Sequence, residues 1–277
     1  NIGEDVDFIV RTAAVHDDNP EIIRAHEAGI PVFERTQAWG AISKDYTNAL
    51  CISGTHGKTT TTSMCTHILM AAEKDPTVMI GGTLPLLKAG HRVGHGNTII
   101  MEACEYYNSF LSFHPTVAVI LNVEADHLDF FKDLEDVEKS FRAFAERTPE
   151  SGTVVANYDD KNTMDTIRGI DRNVITFGLT PEADVYAENI KFKGANSKFD
   201  IMYNGQLFTD VILHVPGMHN VKNALAATAA CISVGIRPSS VKYGLAGFNG
   251  AGRRFEFKGK FNGADIYDDY AHHPGEL

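Results

Sequence analysis

The sequence predicts an α/β protein with a mostly parallel sheet and a small antiparallel patch. Short apolar strands alternate with helices along most of the chain, which is typical of parallel sheets. The segments 97–103 and 116–123 carry β-branched residues on both faces, as central parallel strands do. Residues 183–217 instead alternate apolar and polar side chains around the turn signal Asn204-Gly205, which predicts antiparallel pairing.

The first 46 residues predict a strand, a helix, a second strand and a short helix, at 6–15, 19–29, 30–36 and 36–45. Asn19 is a suitable N-cap for the first helix, Pro20 occupies its first position, and Gly29 marks its end. A strand–helix–strand unit of this kind is a piece of a parallel sheet, and we expect a domain boundary near 45–48.

The alternation restarts at Ala49 and continues to about residue 250. Further strands are predicted at 49–53, 152–160 and 173–178, and helices at 60–73, 134–147, 161–170, 219–235 and 237–248. A hairpin is predicted at 254–270. We therefore expect three regions, residues 1–46, 47–250 and 251–277.

Composition excludes several classes of protein. The formal charge of −11 argues against a nucleic-acid-binding surface. No run of eighteen or more apolar residues occurs and no cationic, apolar leader is seen, so we expect a cytoplasmic protein without a membrane partner. The four cysteines lack zinc-like spacing and are expected to be buried free thiols. The sequence begins and ends within predicted elements, so we expect it to be part of a longer protein. For the oligomeric state, we expect either a monomer or a homodimer.

The segment "GTHGKTTTT", residues 54–62, is the strongest local motif. It lies between a buried strand and a helix, where glycines let the backbone approach a phosphate. Lys58 would reach the β- and γ-phosphates, and the Thr59 hydroxyl would bind Mg²⁺. The first glycine of the usual pattern is replaced by Ile52, and a polar turn that caps a helix is the alternative. The expected nucleotide-binding residues are Gly54, Thr55, His56, Gly57, Lys58, Thr59 and Thr60.

A second group of polar residues follows two buried strands. Glu102 ends one strand, and Asn122, Glu124, Asp126 and His127 follow the next. Ligands collect beyond the carboxyl ends of parallel strands, so these side chains should meet the phosphate loop. Thr59, Glu102 and His127 are candidate cation ligands, for Mg²⁺ or, given the imidazole, Mn²⁺. The alternative for His127 is the first turn of a helix with Asp126 as its N-cap.

A third group lies near the C-terminus. His219, Asn220 and Asn223 begin a helix, and the two amides share a face that could bind an adenine edge or could only cap the helix. Arg253 or Arg254 has the forked donors that suit a phosphoryl group. Asp269 could accept from a ribose hydroxyl, close to His272 and His273.

Together these segments resemble the Mur ligase family, the ATP-dependent amide-forming enzymes of peptidoglycan synthesis. The motifs "GTHGKTTTT", "EACEYYNSFL", "NVEADHLD", "VPGMHNVKNALAA", "GRRFEF" and "DDYAHHPGE" occur in the family's order and spacing over nearly the whole chain. The resemblance implies a central phosphate-loop ATPase domain at 47–250, preceded by the remainder of a UDP-binding Rossmann-like domain at 1–46. Residues 251–277 would begin a C-terminal Rossmann-like domain.

The resemblance also implies an activity. The histidine in "GTHGKTTTT" and the "DDYAHHP" segment are similar to the members that join L-alanine to UDP-N-acetylmuramate through an acyl phosphate. That is the first amino-acid addition to the peptidoglycan precursor. The resemblance implies catalytic roles for Lys58, Glu102, His127 and Arg254, and it implies that Thr59, Glu102 and His127 bind the metal. It also implies that His219, Asn220 and Asn223 bind the adenine of ATP and that Asp269 binds its ribose.

Some roles stay open at this point. His56 would either contact the sugar-nucleotide acid or shape the turn, and Thr12 and Arg35 would touch the uridine diphosphate. Within the family, a ligase for another amino acid or of the folylpolyglutamate type is the alternative. Outside it, the alternative is a module that binds ATP without catalysis, although pure binding would not require Glu102 and His127.

Overall fold

A computed structural model describes residues 2–3, 5–12, 14–254 and 256–270. Its strands are β1 (Ile9–Arg11), β2 (Val32–Glu34), β3 (Asn48–Ser53), β4 (Thr77–Leu84), β5 (Ala89–Arg92), β6 (Thr98–Glu102), β7 (Val117–Ile120), β8 (Thr153–Asn157), β9 (Asn173–Gly178), β10 (Val185–Lys193), β11 (Asn196–Tyr203), β12 (Gln206–Leu213), β13 (Glu256–Phe261) and β14 (Ala264–Asp268). Its α-helices are α1 (Pro20–Glu27), α2 (Arg35–Ser43), α3 (Lys58–Ala71), α4 (Leu134–Glu146), α5 (Lys161–Thr166), α6 (Met218–Ser233) and α7 (Pro238–Ala246).

The N-terminal strand–helix–strand unit is confirmed. β1 and β2 pair in parallel with α1 between them. The Asn19 side chain accepts a hydrogen bond from the Glu21 N–H at 2.9 Å, and Pro20 lies in the first turn, so the helix starts where the capping signals predict. β1 has only three residues, shorter than the predicted segment, because β2 offers it three pairing positions.

The predicted fold class is confirmed by one ten-stranded sheet, in the order β12-β11-β10-β9-β8-β7-β3-β6-β4-β5. Within the run β10-β9-β8-β7-β3-β6-β4, every pair of neighbouring strands is parallel. The pairs β10–β11 and β11–β12 are antiparallel. The antiparallel strands therefore continue the parallel sheet. The edge strand β5 is also antiparallel to β4. The sequence analysis predicted neither strand; in β4, Gly81-Gly82 interrupts the apolar pattern.

Two apolar cores lie on the two faces of this sheet. One contains buried residues of α3, α6 and α7 and of both the parallel and the antiparallel strands. The other contains α4, where Phe144 stacks on Phe110 with 4.7 Å between ring centroids. Phe110 belongs to a 3₁₀ segment, Tyr106–Ser112, which follows β6. Burial on both faces explains why the central strands are apolar throughout.

The remaining predictions have mixed outcomes. The hairpin β13–β14 is confirmed. Cys51, Cys65 and Cys231 are buried free thiols, but the prediction is wrong for Cys104, which is exposed because it lies just past the end of β6. None of the helices in the described ranges combines the length and apolar character needed to cross a bilayer.

Candidate active site

The candidate site is built at the carboxyl ends of three neighbouring parallel strands, β7, β3 and β6. The glycine loop follows β3, Glu102 is the last residue of β6, and Asn122 comes two residues after β7. Because the three strands run in the same direction, their ends meet at one edge of the sheet. The sheet order therefore brings together residues that are up to about seventy positions apart in sequence.

Both glycines of the loop have backbone conformations that other residues rarely adopt. Gly54 has φ of 141° and Gly57 has φ of 84°. A Cβ on Gly57 would also lie only 2.6 Å from the Asn223 Oδ1 atom. The loop thus turns sharply into α3 while the first turn of α6 approaches it closely, and both features require glycine.

The loop is held in place from the end of β7. The Asn122 side chain accepts from the His56 N–H at 2.7 Å and donates to the His56 carbonyl at 3.2 Å. The Thr55 N–H donates to the Asn122 carbonyl at 3.1 Å, and the Glu124 N–H donates to Thr55 Oγ1 at 3.0 Å. These four bonds fix the backbone of the loop before any ligand binds.

Lys58, the first residue of α3, folds back over the loop. Its Nζ donates to the carbonyls of Gly54 and Thr55 at 2.6 and 3.1 Å and to both carboxylate oxygens of Glu105 at 3.1 and 3.0 Å. Burial lowers the pKa of Lys58 most, but the charge and hydrogen bonds of Glu105, together with the nearby Cys104 and Glu102, more than offset it, so the net pKa lies above its ordinary value. The ammonium group therefore stays charged at neutral pH.

Thr59 and Glu102 form a second contact beside the lysine. The Thr59 hydroxyl donates to Glu102 Oε1 at 3.0 Å, and the Gly81 N–H donates to Glu102 Oε2 at 2.8 Å. A Cβ on Gly81 would lie 2.8 Å from Glu102 Oε1, so β4 approaches the carboxylate closely only because this residue is glycine. The pair presents a hydroxyl and a carboxylate at the start of α3.

His127 lies in a turn with a left-handed backbone, φ of 52°. The N–H groups of Phe130 and Phe131 both donate to its carbonyl at 2.9 Å and close a turn. The next helix, α4, begins only at Leu134 with Asp133 as its N-cap, so the helix-start alternative for His127 is wrong. The His127 Nε2 atom lies 3.8 Å from Glu105 Oε1 and 3.9 Å from Asp126 Oδ2. Single ligand atoms of Glu105, Asp126 and His127 all lie within 4.8 Å of one another, a spacing that suits a cation.

Glu105 therefore connects Lys58 to His127, and sequence reasoning missed it. The prediction grouped Glu102 with Thr59 and His127 as cation ligands, but the contacts of Glu102 go to Thr59 and Gly81. The signal was a second carboxylate in "EACEYYNSFL". It could not be placed because Glu105 lies beyond β6, where the chain turns through left-handed Tyr107 and Asn108.

A cavity of about 230 Å³ lies beside the loop, between α3 and α6. Its polar wall brings together most of the predicted nucleotide-binding residues: His56, Gly57, Thr59, Thr60, His219, Asn220, Asn223, Arg254 and Asp269. Apolar side chains, including Phe177 and Phe248, complete the wall. Gly54, Thr55 and Lys58 do not line this cavity, while Glu102 lines a neighbouring cavity that shares Thr59 and Arg254 with the first.

The start of α6 leaves both alternatives for its amides in place. Asn220 donates to the Pro216 carbonyl at 2.6 Å, a local bond at the helix start, yet it also lines the cavity with Asn223. Burial lowers the pKa of His219, and the negative charge of Asp269 only partly opposes this. The His219 ring is thus neutral at pH 7, which suits contact with an uncharged ring.

Other predicted residues are less informative. The His56 Nε2 atom lies 3.6 Å from Glu124 Oε2 at the cavity wall, which leaves both of its proposed roles open. Arg254 stacks over Tyr270, 5.3 Å from the ring centroid. Thr12 and Arg35 are exposed on the N-terminal unit and line neither cavity. His272 and His273 lie outside the described residues.

Residues 52–231 match a family model described as the Mur ligase middle domain. The chain belongs to the Mur ligase family. It is 48% identical over 279 aligned positions to the UDP-N-acetylmuramate–L-alanine ligase of Lachnospira eligens, covering 100% of this chain and 61% of that protein. The matching protein of Clostridium novyi is 45% identical, with 99% and 60% covered.

Solved structures of Mur ligases share the fold. The UDP-N-acetylmuramate–alanine ligase MurC of Thermotoga maritima superposes with a TM-score of 0.83 at 32% identity, covering 98% of this chain and 61% of that one. The chain thus spans about three fifths of the length of the Mur ligases it matches. The activity of a whole Mur ligase is therefore taken up as a proposal.

Proposed function

We propose that this chain carries the ATP-binding and phosphoryl-transfer part of a ligase that joins L-alanine to UDP-N-acetylmuramate. The observation that carries the proposal is the convergence of Lys58, the Thr59–Glu102 pair and the Glu105–His127 pair at one edge of the sheet. Identity of 48% to a ligase of that name supports the choice of substrates. Residues 1–46 and 251–277 would belong to flanking domains that bind the sugar nucleotide and the amino acid.

The residues at this edge fit divalent cations. Hydroxyl and carboxylate oxygens are the ligands that Mg²⁺ prefers, and Thr59 with Glu102 offers both. His127 with the neighbouring Asp126 offers a mixed nitrogen and oxygen set that also suits Mn²⁺, while Glu105 is paired with Lys58. Bound there, the cations would neutralise negative charge on the triphosphate.

The proposed reaction has two steps. A carboxylate oxygen of UDP-N-acetylmuramate attacks the γ-phosphorus of ATP, the bond to the β-phosphate oxygen breaks, and an acyl phosphate and ADP form. The L-alanine amine then attacks the acyl carbon, and the tetrahedral intermediate expels inorganic phosphate and loses a proton to give the amide. Two anions must meet in the first step, which is unfavourable unless fixed positive charge offsets their repulsion.

The residues of this chain supply that charge and hold the reactants in line. Lys58 remains protonated and, with the N–H groups of the loop, would bind the β- and γ-phosphate oxygens. Arg254, which lines both cavities together with Thr59, would hold oxygens of the transferred phosphoryl group. His219, Asn220 and Asn223 would bind the adenine, and Asp269 the ribose, because all four line the same cavity.

The test is phosphate release by the full-length protein with ATP, UDP-N-acetylmuramate and one amino acid at a time. We expect release that requires both UDP-N-acetylmuramate and L-alanine, with a product heavier than the sugar nucleotide by one alanine residue in mass spectrometry. If phosphate is released with a different amino acid and not with L-alanine, that amino acid would replace L-alanine in the proposal. ATP binding without any amino-acid-dependent release would leave a nucleotide-binding module and overturn the ligase.

A further inference from the structure

We propose that Glu105 is a positioning residue for phosphoryl transfer, which sets the place of Lys58 and His127 together. This inference rests on the proposed ligase function. Its basis is one carboxylate that contacts both side chains. Glu105 Oε1 lies 3.1 Å from Lys58 Nζ and 3.8 Å from His127 Nε2, and Oε2 lies 3.0 Å from the same lysine nitrogen.

The burial of Glu105 indicates that this arrangement is rigid. Its side chain is only 2% exposed and that of Lys58 only 14%. A buried carboxylate is costly unless it is paired, so Glu105 cannot leave Lys58 without a large penalty. The lysine is also tied to the carbonyls of Gly54 and Thr55. Its ammonium group therefore has a fixed direction before a nucleotide arrives.

The chain around Glu105 also fixes the imidazole. Tyr106, the next residue, stacks on His127 with 4.4 Å between ring centroids and 27° between planes. Its hydroxyl donates to Asp129 Oδ2 at 2.5 Å, which anchors the tyrosine from the turn that carries His127. Glu105 thus contacts the imidazole through its Nε2 edge while Tyr106 contacts its face, so two consecutive residues define its position.

The backbone supports the same conclusion. Tyr107 and Asn108, immediately after this pair, both have left-handed conformations, with φ of 53° and 55°. Left-handed non-glycine residues cost free energy and persist where the surrounding structure requires them. Here they turn the chain inside the 3₁₀ segment that begins directly after Glu105. The Asn108 N–H donates to the Glu105 carbonyl at 2.8 Å and closes this turn.

A positioning role makes a specific kinetic prediction. Glu105→Gln removes a negative charge beside the phosphate site, so ATP should bind as tightly as in the wild type or a few-fold more tightly. The amide no longer fixes Lys58 and His127, and a misplacement of about 1 Å would lower kcat on the order of 10²-fold. The divalent-cation concentration for half-maximal rate should rise as well, because His127 loses its partner.

The experiment compares Glu105→Gln and Glu105→Asp in the full-length protein, with kcat, the KM for ATP and the Mn²⁺ requirement measured for each. Glu105→Asp keeps the charge on a shorter side chain and should recover part of the lost kcat. Asp210→Asn is the matched control, because Asp210 pairs with Lys242 at 2.6 Å and neither lines a described cavity. Thermal unfolding of each variant shows whether it folds; if Glu105→Gln does not, Glu105→Asp decides alone.

A kcat for Glu105→Gln within about threefold of the wild type would overturn the inference. Loss of ATP affinity in parallel with kcat, without recovery in Glu105→Asp, would do the same, since it would indicate a merely structural residue. A wild-type protein that releases no phosphate with UDP-N-acetylmuramate and L-alanine would instead overturn the proposed function. In that case the ATP affinity of Glu105→Gln, measured by calorimetry, still tests Glu105: weaker binding than in the wild type would contradict its role.

Discussion

The parallel and antiparallel parts of the ten-stranded sheet share one apolar core but differ in the chemistry at their ends. The parallel strands β3, β6 and β7 all end beside the phosphate loop, where carboxylates, an ammonium group and an imidazole meet. The antiparallel strands β10 to β12 end in exposed turns such as Asn204-Gly205. Strand direction therefore decides where this chain places its reactive groups, since only parallel neighbours bring successive strand ends to one edge.

The exposure of one lysine–carboxylate ion pair in each part of the sheet illustrates this difference in environment. The Lys58–Glu105 pair is 14% and 2% exposed, whereas the Lys242–Asp210 pair between α7 and β12 is 44% and 47% exposed. Exposed pairs contribute about 0–1 kcal/mol to stability because water screens them. A buried pair stabilises little in net terms, but removal of one partner leaves an uncompensated charge.

The largest effect is expected from the lysines. Lys58→Met should lower kcat for phosphate release by about 10³-fold, because the fixed charge at the β- and γ-phosphates is lost. Lys242→Met should leave kcat unchanged. Both variants are assayed with saturating ATP, and circular dichroism checks their fold. An active Lys58→Met enzyme would mean that the glycine loop does not bind the triphosphate.

The next effect concerns the metal. Glu102→Gln removes the carboxylate that contacts Thr59 and should weaken Mn²⁺ binding in the presence of ATP by about 10²-fold. Electron paramagnetic resonance titration of free Mn²⁺ measures this directly. The control is Glu188→Gln, an exposed residue of the antiparallel strand β10. Equal Mn²⁺ affinity in the two variants would remove Glu102 from the metal site.

Alanine substitutions at Gly57 and Gly205 distinguish the effect of backbone strain on stability from the effect on ATP binding. Gly57→Ala forces a Cβ against Asn223 at a φ of 84° and should weaken ATP binding by about tenfold or more. Gly205→Ala has a similar φ of 75° but meets no atom within 4 Å, so it should lower the free energy of unfolding by about 1 kcal/mol and leave ATP binding unchanged. Calorimetry of ATP binding and urea unfolding measure the two quantities. Equal ATP affinities would show that the loop tolerates a side chain.

The smallest effect is a pH dependence of stability. Burial lowers the pKa of His67, a residue of α3 that packs edge-on against Phe248, from 6.5 to about 4. Between these values the unfolded chain binds a proton that the folded chain does not, so stability falls as pH drops from about 6.5 towards 4. His67→Phe should flatten this part of the Tm profile relative to the wild type. Parallel profiles would indicate that His67 does not titrate differently on folding.

Much of the fold was predictable from local patterns. The strand before Gly54 and the helix after Gly57 follow from an apolar run, two glycines and a helix-forming segment, and each signal lies within a few residues. β4 was not predictable, because Gly81-Gly82 is typical of a loop and only the sheet shows why the position requires glycine. Gly81 makes room for the Glu102 carboxylate, a contact between residues twenty-one positions apart.

Site residues were predictable only where they belong to a recognised motif or lie at the end of a predicted strand. Lys58 and Thr59 follow from the glycine loop, and Glu102 from its position at a strand end. Glu105 carries no such signal, since its contact with Lys58 spans 47 positions and it lies past the end of β6, outside any predicted strand. The sequence predicted that Asn122 lies near the phosphate loop, but it did not predict that Asn122 would hydrogen-bond to the His56 backbone.

The most direct test is a crystal structure of the protein with a non-hydrolysable ATP analogue and Mn²⁺, with anomalous scattering to locate the metal. The triphosphate should lie at the start of α3 with Lys58 Nζ on its β- and γ-oxygens. Anomalous peaks should lie beside Thr59 and Glu102 and beside His127. A triphosphate bound elsewhere, or manganese bound away from both Glu102 and His127, would contradict the single shared site.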